Sequence, residues 1–280
     1  MADIRRENPA ALYFMNLLVI LFTVLAVYPI FWVIMSSFKT TQEYMLTSKL
    51  SLPKMFFLNN YLTAWRDAKF TVLTLNSVFY TAVTVISIII LSFMAGFAFA
   101  KLPSKLTPVL HSSFIVGILI TLQCIMIPLF ILIKGVGLIN TRLGVLIPYI
   151  GIGLPMAVYL STEYIKSIPN EIIESARIDG AKYSGIFRSI VLPMAVPVAT
   201  TVAILTVTGT WNEFILINIL VSSDNLKTIP VGMNMFAGAL ATDYGKQFAA
   251  LVIGMIPMII FYAIFRKQIT KGVSAGAVKG

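Results

Sequence analysis

The sequence predicts an all-α, polytopic membrane protein with six transmembrane helices. Hydrophobic residues make up 58% of the 280, and charged residues only 11%. That is far too apolar for a soluble domain of this size. Six charge-poor apolar runs recur along the chain, each near or above the length that crosses a bilayer. The segments between them gather most of the charge and several interface-type aromatics. We read one transmembrane domain over 1–280, with spans near 12–38, 71–100, 109–133, 145–163, 193–217 and 248–265 and a charged loop over 166–192.

The first apolar run begins near Leu12 and carries no charge until Lys39. It is too long for a signal-peptide core and no small-x-small cleavage site precedes Lys39, so it reads as an uncleaved span. Pro29 is expected to bend its outer half. Residues 39–70 are polar and mixed in charge, with Tyr44, Tyr61 and Trp65, and are expected to be partly helical at a membrane–water boundary. No charge appears from Thr71 to Ala100, the second span, and KLPSKLTP (101–108) is a tight basic turn. The third run contains Pro128, and residues 134–144 form a short loop. The fourth carries Pro148, Pro155, Gly144, Gly151 and Gly153. These fit either backbone lining a cavity or close helix packing. The fifth run starts at Pro193 and is charge-free up to Glu213. A polar segment follows over 222–247, with Asp224, Lys227 and Asp243. The sixth ends in Arg266-Lys267, before a basic tail rich in small residues.

An even number of spans puts both termini on one side. Placing them in the cytoplasm puts twelve of the 21 basic residues inside: Arg5, Arg6, Lys101, Lys105, Lys166, Arg177, Lys182, Arg188, Arg266, Lys267, Lys271 and Lys279. The other nine lie on longer outer segments, so the bias agrees with the positive-inside rule. The net charge of +10 fits cytoplasmic loops over anionic lipid. No basic stripe interleaved with aromatics is present for a nucleic acid. Cys124 has no intrachain partner and reads as a small buried hydrophobe. His111 is the only histidine, which leaves no cluster for zinc and favours a packing role. Gly180 and Gly185 have P-loop-like spacing, but Ile186-Phe187 follows where Lys-Ser or Lys-Thr is needed. With no nucleophile elbow and no HExxH either, the chain is expected to be no enzyme and to bind no cofactor or metal itself.

The charged loop is the most structured-looking connection. Asn170 is a natural N-cap, with Glu171 and Glu174 in the first turn where the helix dipole favours acids. Ile172, Ile173 and Ala176 form a helical stripe, and Asp179-Gly180 is a turn signal that ends it. Ile186, Phe187, Ile190 and Val191 form a second stripe closed by Pro193. Helix, sharp turn and helix at a membrane surface is the expected shape. A plain amphipathic anchor is the alternative.

The spacing of Glu174, Ala176, Gly180, Ile190, Leu192 and Pro193 resembles the signature loop of the inner-membrane subunits of binding-protein-dependent ABC importers. That pattern reads Glu-Ala-Ala, three residues, Gly, nine residues, Ile, one residue, Leu-Pro. Ser175 departs from its first Ala. The stretches IPLFILIKGVGLINTRLGVLIPY, GTWNEF, KTIPVGMNMFAGALATDYG and SAGAVKG resemble the carbohydrate-uptake branch, and the second of its two permease subunits in particular. The likeness covers about Asn76 to Gly280.

The resemblance implies a type I ABC importer permease fold with a cytoplasmic coupling helix, in a bacterial inner membrane. It implies docking of Glu174, Ser175, Ala176, Arg177, Asp179, Gly180 and Lys182 on a separate ATPase subunit, which uses ATP and Mg. Gly180 would allow close approach of two helices. Expected partners are a second related permease subunit, two ATPase subunits, an extracytoplasmic sugar-binding protein and the lipid membrane. The ligand would be a di- or oligosaccharide, although phosphorylated glycerol compounds travel through similar permeases. By residue type and depth, Tyr149, Tyr159, Trp211, Asn212 and Asn218 are candidates for the substrate path; ordinary packing is the alternative for each. Glu213 fits a structural or gate-lining role near the far interface. An ion- or proton-coupled secondary transporter would want paired ionisable groups at the midplane and inverted repeats. The sequence shows neither. A non-transporting scaffold leaves the signature loop unexplained.

Overall fold

The computed structural model describes residues 9–102, 104–238 and 242–277. Arg5, Arg6 and Lys279 of the charge argument lie outside them. Among the described residues the elements are helices, with a lone antiparallel bridge between Ala237 and Thr242. The chain forms two compact units, residues 1–70 with 233–257, and residues 71–232 with 258–280.

The first unit holds α1 (Pro9–Ser37), α2 (Thr41–Leu46), α3 (Asn59–Asp67) and the start of α14 (Tyr244–Ala277). Within α1, Leu12–Ser37 is apolar all round, and none of its most apolar window is buried. Pro29 lies inside this helix without ending it. The end of α1 is tied down by polar contacts. Asn60 Nδ2 donates to the Ser37 and Lys39 carbonyls, both at 2.8 Å. A Cβ on Gly245 would come within 2.7 Å of the Lys39 carbonyl, so only glycine fits this approach. Thr40 caps α2 by accepting from Glu43 N. Tyr44, Trp32, Tyr244 and Phe248 pack ring against ring beneath it. Thr41 Oγ1 donates to Asp243, and Lys246 pairs with Asp67 at 2.9 Å.

The second unit is built on α4 (Phe70–Lys101) and α7 (Arg142–Lys166). They touch closely because their facing residues are small. A Cβ on Gly96 would meet Ser161 Oγ at 2.7 Å, and one on Gly153 would run into Ile88 Cδ1. Ser161 Oγ donates to the Ser92 carbonyl across the same contact. Close packing is thus one use of the glycines in this span. Pro148 and Pro155 lie within α7.

Two apolar runs are broken. In the third, α5 (Thr107–Leu119) and α6 (Leu122–Gly135) meet at 107°. Extended backbone at Ile120 and Thr121 separates them, while Pro128 sits inside α6. In the fifth, Tyr183–Met194 bends by 73° into α11 (Val196–Trp211). The first of these pieces is α9 (Tyr183–Ile186), a π turn over Phe187–Val191 and α10 (Leu192–Met194). Pro193 therefore does not close the helix. The break falls at Ala195, after which Pro197 sits in the first turn of α11, where its missing N–H costs nothing. A second break after Trp211 precedes α12 (Ile215–Leu220), and α13 (Ile229–Met233) follows a short 3-10 turn. Among the described residues four helices are long and apolar enough to cross a membrane, or up to six spans if each bent pair counts as one.

Two apolar cores form in this unit. One gathers Phe93, Phe97, Ile165, Ile173, Ile186 and Val191 around α8 (Asn170–Ile178). The other gathers Tyr80, Val145, Tyr149, Leu216, Ile217 and Leu220 around α12. Cys124 is exposed on α6 rather than buried. The sequence placed it inside because its neighbours are apolar, but in a membrane chain apolar residues also face outward. His111 is half-buried on α5, its ring 5.7 Å from Phe99.

Candidate functional site

The charged loop is a bent finger of two helices. Pro169, not Asn170, is the N-cap of α8. Asn170 instead turns its Oδ1 to Lys101 Nζ at 2.7 Å, and the same ammonium donates to the Ile168 carbonyl at 2.6 Å. Lys101 at the end of α4 thus fixes how the chain enters the finger. Ile173 is buried and Ala176 half-buried against the core, so these two anchor α8, whereas Ile172, placed on the same stripe by the sequence, is exposed.

The finger turns through a Schellman cap. Gly180 has φ +83°; its N–H donates to the Arg177 carbonyl, and Ala181 N–H reaches the Ala176 carbonyl at 2.9 Å. No atom lies within 4 Å of a Cβ built on Gly180. The expectation of a close helix–helix approach is therefore corrected for this chain: the glycine is required by a left-handed backbone, not by crowding. Lys182 is the N-cap of α9 with extended backbone, and its carbonyl accepts from Gly185 and Ile186. Arg177 lies 5.1 Å over the Tyr183 ring, which braces the two arms. Glu174, Ser175, Arg177, Asp179 and Lys182 are exposed.

One residue of the finger was not anticipated. Ile178 is 86% exposed at its tip. It falls off the buried stripe, and an apolar residue out of phase just before Asp-Gly was the available signal.

The substrate-path candidates separate into groups. Tyr149 Oη donates to Glu213 Oε2 at 2.8 Å, and Leu216 N and Ile217 N donate to the same carboxylate at 2.7 and 3.2 Å. Glu213 thus caps α12 and ties it to α7. Both residues line a mostly apolar pocket of 320 Å³ with Met156, Thr206, Gly209 and Thr210. Trp211 is buried beside it at the end of α11. Asn212 is exposed and donates to the Thr208 carbonyl at 2.9 Å. Asn218 is exposed on α12, and Tyr159 is exposed on α7; neither lines the pocket. Thr206 and Thr210 escaped the sequence reading because they look like ordinary helix threonines.

Comparison with known proteins places this arrangement. Residues 88–275 match the family described as binding-protein-dependent transport system inner membrane component. A probable ABC transporter permease protein of Bacillus subtilis is 34% identical over 260 residues, covering 93% of this chain and 86% of its own. The diacetylchitobiose uptake system permease protein of Streptomyces coelicolor is 33% identical over 264 residues, covering 94% and 87%. The fold is similar to that of a solved bacterial ABC transporter involved in the import of the acidic polysaccharide alginate. There the TM-score is 0.81 at 23% identity, over 95% of this chain and 99% of that one. With a family match over most of its length and relatives above 30% identity along nearly all of it, this chain belongs to the inner-membrane permease components of binding-protein-dependent ABC transporters.

Proposed function

We propose that this permease carries a di- or oligosaccharide inward as half of a two-subunit translocation path, driven by ATP hydrolysis in a separate subunit. A second related permease completes the path. Two ATPase subunits bind ATP and Mg and dock on the fingers, and an extracytoplasmic binding protein delivers ligand to the outer segments. Both termini and the finger lie in the cytoplasm. The sugar class is supported by relatives named for diacetylchitobiose, starch degradation products and trehalose.

The single observation that carries the coupling role is the finger itself. One face is bolted to the core through Ile173, while Ile178 stands exposed among charged side chains on the other. An apolar socket in a partner would take this isoleucine out of water at the tip of a fixed turn. Motion of that partner would then tilt the spans attached to the finger between inward- and outward-facing states.

Sealed vesicles test the function. Uptake of labelled oligosaccharide should need internal ATP and external binding protein, and uptake that follows an ion gradient alone would overturn it. Ile178→Asp tests the docking. Burying an isoleucine is worth about 1.5–3 kcal/mol, so ATPase retention should fall by at least tenfold while the permease stays folded. Unchanged co-purification would remove Ile178 from the interface.

A further inference from the structure

Beside the finger, the turn between α4 and α5 and the near side of α8 border an open cleft of 520 Å³ with mixed polar and apolar walls. Lys101, Ser104, Thr107, Asn170, Glu174 and Arg177 line it. Of the lining side chains two are cations and one a carboxylate; Glu171 also acts on Lys101, but among the described residues neither Lys101 nor Arg177 has a carboxylate within ion-pair distance. Lys101 is the last residue of a 32-residue apolar helix, and α5 begins at Thr107. The cleft therefore lies at the level where apolar helices meet water. Pro108 also lines a shallow groove that runs on along α5 past Val109, Ser112, Ser113 and Val116. None of the residues of α5 is buried within this chain.

We propose that cleft and groove together bind one anionic phospholipid, its phosphate between Lys101 and Arg177 and an acyl chain along α5. Basic pockets at the cytoplasmic ends of spans suit such headgroups. Thr107 and Ser104 supply hydroxyl donors to phosphate oxygens, and Glu174, which also lines the cleft, disfavours a second anion. Because Arg177 and Asn170 belong to the finger, a lipid held here would stiffen its entry and make coupling depend on membrane charge. The inward facing of this turn rests on the sidedness proposed above.

The purified assembly, exchanged into nanodiscs of equal phosphatidylglycerol and phosphatidylcholine, would be released into native mass spectrometry. Phosphatidylglycerol should be retained preferentially. Arg177→Gln should lower that retention about fivefold, the factor expected for one basic group at an anionic surface. Val116→Trp, which fills the groove and leaves the cations, should also lower it. Both positions are exposed, so neither change empties the core. Equal retention of the two lipids, or wild-type retention in both variants, would overturn the site. Inorganic phosphate binding as tightly as the lipid, with Val116→Trp silent, would overturn the lipid in favour of a soluble anion. ATPase co-purification is read on Val116→Trp, which changes no residue of the finger, so failure of docking and failure of the lipid site stay distinguishable.

Discussion

Glu213→Gln keeps the shape of a side chain and removes its charge, and so separates a fastener from a carrier. In the structure one carboxylate accepts from Tyr149 Oη, Leu216 N and Ile217 N. A glutamine offers a single carbonyl oxygen. If that oxygen takes the Oε2 position it keeps Tyr149 Oη and Ile217 N, and the NH2 group then faces the Leu216 N–H, donor against donor. A hydrogen bond to a charged partner is worth about 1.5–3 kcal/mol and a neutral one about 0.5–1.5. Weakening these three bonds while re-forming most of them should cost about 1–3 kcal/mol. Tyr149→Phe removes one bond and leaves the cap intact, for about 1–2 kcal/mol. The two changes share a partner, so the double variant should fall short of their sum by roughly 1 kcal/mol. Thermal unfolding of the detergent-purified protein, followed by tryptophan emission with Trp211 two residues away, reads all three. ATP-driven uptake should fall only as far as folded protein is lost. Full stability with abolished uptake would refute the reasoning, because the carboxylate would then act in transport itself.

At Gly180 the backbone, not the space, is limiting. Asparagine, which tolerates the left-handed region, should retain most ATPase co-purification; alanine should lose about 1–2 kcal/mol of finger stability, and valine more. An asparagine variant as defective as valine would point to a steric contact instead. Gly96→Ala should destabilise the α4–α7 pair by about 1–3 kcal/mol, because the new methyl meets Ser161 Oγ and the Thr162 backbone N at 2.7 and 3.0 Å. Gly153→Ala should cost less, since the atom it meets is the rotatable end of Ile88; equal melting shifts for the two would contradict that ranking.

The helical class was legible because apolar runs and the charge between them are local properties. Both cues sit in the residue string and need no partner. The turn at Asp179-Gly180 was legible for the same reason, yet its cause was misread. Close approach depends on neighbours that a sequence does not place, whereas a positive φ is a property of the cap. The broken spans were hidden. Pro29, Pro128 and Pro155 sit inside continuous helices, while Ile120-Thr121, with no proline or glycine, makes the sharpest bend. Glu213 was noticed as a charge, but its partner Tyr149 lies 64 residues away. Tyr149, Trp211 and Asn212 were picked by type, and only contacts show that the first two are buried.

Six hydrogen bonds hold the stretch from the end of α12 onward. Asn140, itself left-handed at φ 59°, donates its N–H to the Leu220 carbonyl and accepts from Ser222 and Ser223 through its side chain. Asn76 Nδ2 grips the Asn225 and Lys227 carbonyls, and Ser77 Oγ accepts from Ile229 N. A protein alighting on this stretch meets a surface already cast. It forfeits little freedom in ordering that stretch, so a brief, shallow encounter there can still be a selective one.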